Sequence, residues 1–237
     1  MCGRFTLTQD RKSIVEDLEV AEWSAAGEHR PRFNVAPTQS ALVLTWSDEA
    51  PGSHRAVRDM RWGLVPGWAK DPAIASKLIN ARGESIAEKP SFRNLVGRRR
   101  CAVITDGFFE WKKDGKASVP HYIHDPAGKA LPMAGLWDVW KAPDDTYLTT
   151  FTIVTTEARS DITFLHDRMP VILARDDLDT WLDVAHVPKE KALALVKAYA
   201  GPLETFPVSK LVNSVRYDSA EIIRRADPEV GTQGSLF

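Results

Sequence analysis

Apolar and polar positions alternate with a period of two over much of the chain, and this pattern predicts a protein built mainly from strands. Residues 3–7 give a short strand that would anchor the N-terminus inside the fold. Residues 41–46 and 54–62, joined by a Gly/Pro/Ser turn, give two clearer ones. The strongest run is 100–111 (RCAVITDGFFEW), which predicts a central strand; 112–116 is a hairpin turn signal and 119–124 the returning strand. Residues 134–140 and 146–156 add two more, the second rich in Thr, Val and Ile.

Helical periodicity is shorter and peripheral. Thr8 or Asp10 can cap a helix running to about Trp23, with Ile14, Val15 and Leu18 on its apolar side. Residues 79–85 suggest a short helix that Asn80 or Ser85 could cap. After Asp176 a turn capped by Asp177 reaches Val184, and a helix with Pro188 in its first turn follows to Ala200. Residues 30–39 carry two prolines and predict an extended loop, and 206–215 a closing extended segment. No repeat or low-complexity stretch divides the chain. The expectation is one domain over 1–226 with a flexible tail at 227–237.

Composition narrows the classes of function. A chain of 237 residues with 43% hydrophobic and 27% charged residues can bury one sizeable core. A net charge of -1 gives no global attraction to polyanions, so any nucleic-acid site must be a local patch. No apolar run approaches a membrane span and no signal sequence is evident, so a soluble, cytoplasmic protein is expected. Two cysteines, Cys2 and Cys101, make no disulfide framework, and Cys101 reads as a core residue. No ligand spacing for a metal is present; His121 and His124 read as surface or strand residues.

The candidate chemistry begins at Met1-Cys2-Gly3-Arg4. Once Met1 is removed, Cys2 carries an α-amine with an ordinary pKa of about 7.7–8.0 beside a thiol near 8.5. Such a 1,2-aminothiol can condense with an aldehyde through the amine and close the thiol onto the imine carbon, giving a thiazolidine. Glu110 lies in Asp106-Gly107-Phe108-Phe109-Glu110-Trp111; buried among those aromatics it would have a raised pKa suited to proton transfer, whereas a solvent-facing or Arg-paired Glu would not. His166, between Leu165 and Asp167 at the mouth of an apolar strand, suits proton transfer or a structural role. Trp62 and Trp68 flank a Gly/Pro loop that either approaches a ligand or buries two aromatics. Arg93, Arg98, Arg99 and Arg100 form a basic run that is either solvated or borders a phosphate track.

Six motifs in order carry a resemblance: Met1-Cys2-Gly3-Arg4, Asn34-Val35-Ala36-Pro37-Thr38, Arg61-Trp62-Gly63-Leu64-Val65-Pro66, Asn80-Ala81-Arg82-Gly83-Glu84, Asp106-Gly107-Phe108-Phe109-Glu110-Trp111 and His166-Asp167-Arg168-Met169-Pro170. Together they resemble the SOS response-associated peptidase (SRAP) family, whose members shield abasic sites in single-stranded DNA, and they span residues 2 to about 213. The resemblance implies an α+β single domain around a curved, mostly antiparallel, barrel-like sheet with peripheral helices. It implies a covalent thiazolidine between Cys2 and the ring-opened abasic sugar, with Met1 lost by self-cleavage or to an aminopeptidase. Asn80 would orient the terminus or the sugar, Glu110 would shuttle protons, and His166 would assist the Schiff-base and ring-opening steps. Arg4 and Arg82 would hold phosphates, while Asn34, Pro37, Trp62 and Trp68 would belong to the DNA-facing wall. No cofactor or metal is implied, a monomer is expected, and the protein would join the nucleoid when bound to damaged DNA. Gly83 is the one departure, where a larger residue is expected in relatives. Two other readings fit the opening residues or the Trp and Arg clusters: a glutamine amidotransferase-like N-terminal-nucleophile hydrolase, and a non-covalent single-strand-binding module.

Overall fold

The computed structural model describes residues 2–49, 52, 54–115 and 117–226. In chain order the elements are β1 (Phe5–Leu7), α1 (Arg11–Asp17), β2 (Glu22–Trp23), β3 (Arg32–Val35), β4 (Ser40–Ser47), β5 (His54–Trp62), β6 (Asn80–Arg82) and β7 (Arg100–Val103). There follow β8 (Gly107–Asp114), β9 (Ala117–His124), β10 (Met133–Lys141), β11 (Tyr147–Glu157), β12 (Arg168–Pro170), α2 (Leu178–Leu182), α3 (Lys189–Leu193) and β13 (Glu204–Pro207).

Five strands close into a ring, β11–β10–β7–β4–β5, and a parallel contact of β5 with β11 (Arg61 with Thr150, Trp62 with Phe151) completes it. The other joints of the ring are antiparallel. Closure removes the unpaired edges an open sheet would expose. A second sheet, β13–β9–β8–β1–β3, packs against the ring. The expected α+β single domain with a curved, mostly antiparallel barrel is what the chain forms.

The alternation of the strands sorts side chains into two cores. Val43, Met60, Trp62, Cys101, Val103, Phe151 and Ile153 share one cluster with Cys2 and with Phe5 and Phe108 of the second sheet. Leu42, Leu44, Val57, Ala102 and Leu136, from the opposite faces, pack with Ile14 of α1, Trp181 of α2 and Ala192 of α3. Trp62 is fully buried, stacked on Phe151 at 6.3 Å and tilted against Phe5 at 5.1 Å. Truncating such a side chain costs about 3–5 kcal/mol.

Several elements differ from expectation for local reasons. The 100–111 run is two strands in different sheets, because Thr105 and Asp106 leave the ladder to bond elsewhere. Residues 79–85 begin not as a helix but as β6, captured by a parallel pairing with β11, and end in a 3-10 turn. Helix α1 does start at an Asp10 cap, whose carboxylate accepts from the Ser13 N–H, but it stops at Leu18, where Glu19 turns left-handed (φ 50°) and β2 follows. The 30–39 loop contains β3, paired to β1. Helix α3 ends at Leu193, short of Ala200, and the Asp177 side chain does not cap α2. The 206–215 segment is the end of β13 and a 3-10 turn, not an extended run. The 227–237 tail lies outside the described residues. Gly83 has a packing reason to lack a side chain: a Cβ there would sit 2.1 Å from Val196 Cγ1.

Candidate functional site

β11 carries the site's geometry. Thr155 pairs with Arg82 on one edge and with Pro170 on the other, so one strand holds β6 and β12 side by side. Asn80 opens β6, and His166 lies two residues before β12. The third component comes from the second sheet: β1 runs antiparallel to β8, with Phe5 opposite Phe108 and Thr6 opposite Gly107. The Phe109 N–H donates to the Arg4 carbonyl at 3.0 Å, extending that register and bringing Glu110 opposite Gly3, next to Cys2.

Asp106 holds the start of the chain in place. Its carboxylate accepts from Thr6 Oγ1 (2.5 Å), Thr8 N (2.5 Å), Thr8 Oγ1 (2.7 Å) and Gln9 N (3.1 Å). The Thr6 hydroxyl also meets the Tyr122 hydroxyl at 3.0 Å, and a Cβ at position 107 would strike that tyrosine at 2.3 Å, which is why Gly107 stands there.

Cys2 is fully buried, with its thiol donating to the Arg4 carbonyl at 3.8 Å. Burial, reinforced by the nearby Glu110 charge, pushes the thiol well above its ordinary range, so it is protonated at neutral pH. The Asn80 side-chain N–H donates to the Cys2 carbonyl at 2.8 Å, while its buried amide oxygen has no hydrogen-bond partner among the described residues. Glu110 is 3% exposed, and burial raises its pKa above the usual carboxylate range, partly offset by His166. These terms link Cys2, Asn80, Glu110 and His166 in one place.

His166 Nδ1 lies 2.9 Å from the Arg168 N–H and 2.7 Å from Asp167 Oδ1. One ring nitrogen cannot accept from the first and donate to the second at once. The Asp167 side chain is 86% exposed and screened by water, so the backbone N–H sets the neutral form, with the ring proton on Nε2.

Two residues of the site escaped the sequence analysis as functional candidates. Glu84 and Arg168 form a two-pronged ion pair (2.8 and 2.9 Å), and Arg168 also donates to the Thr155 carbonyl at 2.7 Å. Arg168 holds Glu84 below the usual carboxylate range. The pair ties the loop carrying Asn80 to the one carrying His166. Its signal was the place of each residue in the same motif as a candidate, four after Asn80 and two after His166.

The expected DNA-facing residues divide. Arg82 and Trp68 are exposed, Trp68 by 61%, and Pro37 is half-buried. Arg82 and Arg168 line a cleft of about 380 Å³ with Asp167, Thr163 and Glu157. Trp62 and Asn34, in contrast, are in the interior and offer no face to a strand. The Trp62 indole N–H is bound to the Ile79 carbonyl at 2.9 Å. Asn34 accepts from Arg4 at 2.8 Å and donates to the carbonyls of Val212, Ser214 and Tyr217. Arg4 is half-buried and donates to the carbonyls of Val212 and Asn213, so it fastens the N-terminal segment to the C-terminal one. The basic run is not one track either. Arg100 is buried on the carbonyls of Val96, Trp181, Asp183 and Val187, and Arg99 pairs with Asp138. No cluster of three or more His, Cys, Asp or Glu side chains suited to a metal occurs among the described residues. No helix among them is long and apolar enough to cross a membrane.

The family model described as SOS response associated peptidase (SRAP) matches residues 1–215. The chain belongs to the SRAP family. The abasic site processing protein YoqW of Bacillus subtilis is 39% identical over 225 residues, covering 94% of this chain and 99% of its own. The abasic site processing protein HMCES of Gallus gallus is 37% identical over 230 residues, covering 85% and 68%. A crystal structure of a Bacteroides thetaiotaomicron protein superposes with a TM-score of 0.82 at 24% identity, over 95% of this chain and 100% of that one. At that identity the superposition speaks to the SRAP fold alone.

Proposed function

We propose that this SRAP protein processes abasic sites in DNA by covalent capture: Cys2, freed by removal of Met1, forms a thiazolidine with the aldehyde of a ring-opened abasic sugar in single-stranded DNA. The observation that carries the proposal is the Asn80 side chain holding the Cys2 carbonyl beside Glu110 and His166. Self-cleavage and an aminopeptidase both yield the required terminus.

The chemistry balances with one water released. The α-amine attacks the aldehyde carbon; Glu110, whose burial favours its acid form, protonates the departing hydroxyl, and a protonated imine forms. The Cys2 thiol then gives its proton to the resulting carboxylate, and the sulfur closes onto the imine carbon. One C–N and one C–S bond remain. His166, beside Glu110, assists these transfers in reverse. The unpartnered Asn80 oxygen is an acceptor for a sugar hydroxyl. Arg82 positions phosphate and Trp68 the strand, and because the bond supplies retention, a net charge of -1 is no obstacle. No cofactor or metal enters, and a monomer suffices at sites exposed in the nucleoid.

The test mixes protein with a single-stranded oligonucleotide carrying one abasic site and separates products on a denaturing gel. Wild type gives a heat-stable band, and Cys2→Ala gives none. A band of equal strength from Cys2→Ala would refute the proposal, and reversible binding alone would favour the non-covalent module.

A further inference from the structure

We propose that Phe164, supported by His121 and Lys112, is a shelf that stacks the nucleobase adjacent to the lesion. The proposal rests on the abasic-site reading above. Phe164 is 49% exposed, an unusual position for a large apolar ring, and it precedes His166 by two residues. Its ring meets the edge of His121 at 6.0 Å and 83°, and Lys112 Nζ lies 5.8 Å from its centroid.

The β8–β9 register fixes where this shelf stands. Glu110 is opposite His121 and Lys112 opposite Val119, so Glu110 and Lys112 share a face, about 7 Å apart along the strand. The shelf thus begins at the reacting carboxyl and leads outward by one short step. His121 is itself buried, its Nδ1–H donating to the Val119 carbonyl at 3.1 Å, and burial with the Lys112 charge keeps it neutral. It braces the phenyl ring without adding charge. Lys112 is exposed and makes no ion pair among the described residues, leaving its ammonium available to a phosphate.

A base is the occupant this chemistry fits. An abasic nucleotide has nothing to stack, so the register of the strand must come from its neighbours. A phenyl face binds every base and an ammonium binds every phosphate, which gives hold without sequence preference. Trp68 cannot serve the same nucleotide: it follows Gly67, which packs on Val139 at the level of Thr149, four residues along β11 from the partner of Asn80.

The experiment measures binding by fluorescence anisotropy to single-stranded DNA bearing a tetrahydrofuran abasic analogue, which cannot crosslink. Phe164→Ala should weaken binding about five- to thirtyfold, within the range for base–aromatic stacking, and Phe164→Trp should restore it. On an oligonucleotide whose flanking nucleotides also lack bases, the Phe164→Ala penalty should vanish. Lys112→Gln should make the slope of log affinity against log salt shallower by about 0.7. A wild-type-like Phe164→Ala, or a penalty that persists without flanking bases, overturns the shelf alone. A wild type that binds no abasic analogue and forms no adduct overturns the parent reading, and the shelf with it.

Discussion

Asn80→Ala separates the role of that residue in the reaction from its role in the fold. The substitution removes the 2.8 Å bond to the Cys2 carbonyl, leaving that buried acceptor unsatisfied at a cost of about 1–3 kcal/mol. It also deletes the Asn80 amide oxygen, which is buried without a partner among the described residues and carries a penalty of about the same size. The two terms oppose each other. The backbone pairing of β6 with β11 does not involve the side chain and survives. Net stability should therefore change by no more than about 1 kcal/mol, a melting shift of about 2–4 °C in a domain of this size. The adduct should nevertheless form at least tenfold more slowly, because the terminus loses the contact that aims it and the sugar loses an acceptor. Calorimetry and single-turnover gel kinetics on one preparation read both quantities. A loss above about 3 kcal/mol would refute the offset, and a stable variant with wild-type kinetics would refute the assigned role.

Glu110→Gln should slow the adduct sharply and also flatten a pH effect. Burial raises the folded-state pKa of Glu110, so its stability contribution is full below about 4.3 and is lost as pH rises through the folded value; urea midpoints at several pH values should show wild type gaining on the Gln variant as pH falls. Asp106→Ala strips four hydrogen bonds from residues 6–9 and should cost about 3–5 kcal/mol in urea unfolding, a loss under about 1 kcal/mol being incompatible with its anchoring role. Glu84→Gln breaks the fork with Arg168 and, since Glu84 is half-exposed, should cost only about 0.2–1 kcal/mol. That contribution is present above the ordinary Glu pKa and fades as pH falls, because Arg168 depresses the folded value. Nitrogen NMR of His166 should show the Nε2–H tautomer loosening in the same variant, and an unaltered spectrum would separate the fork from the histidine.

The strands 41–46 and 54–62 were legible because β-branched and apolar residues alternate there, and only one or two end residues were missed. The closing contact of β5 with β11 was not, since parallel pairing between distant segments leaves no local pattern. The same non-local capture turned the expected helix at Asn80 into β6. The run ending at Trp111 looked continuous because all its first residues are buried; the break at Asp106 becomes visible only once Thr6 and Thr8 are seen to claim that carboxylate. Cys2, Asn80, Glu110 and His166, singled out through motifs, lie together in the structure, and the alternatives left open for Glu110 resolve to burial. Asn34 and Trp62 lay in equally clear motifs but act from the interior, and a motif carries no sign of which way its side chain points. His121 looked like an ordinary strand residue because its relation to Glu110 depends on the hairpin register.

The most direct measurement is the intact mass of the product formed with single-stranded DNA carrying one natural abasic site, without any reducing agent. Thiazolidine formation predicts a heat-stable species whose mass is the sum of the chain lacking Met1 and the DNA, less one water, absent for Cys2→Ala and for a form that retains Met1. A product that appears only after borohydride trapping, or one that survives Cys2→Ala, would contradict the account.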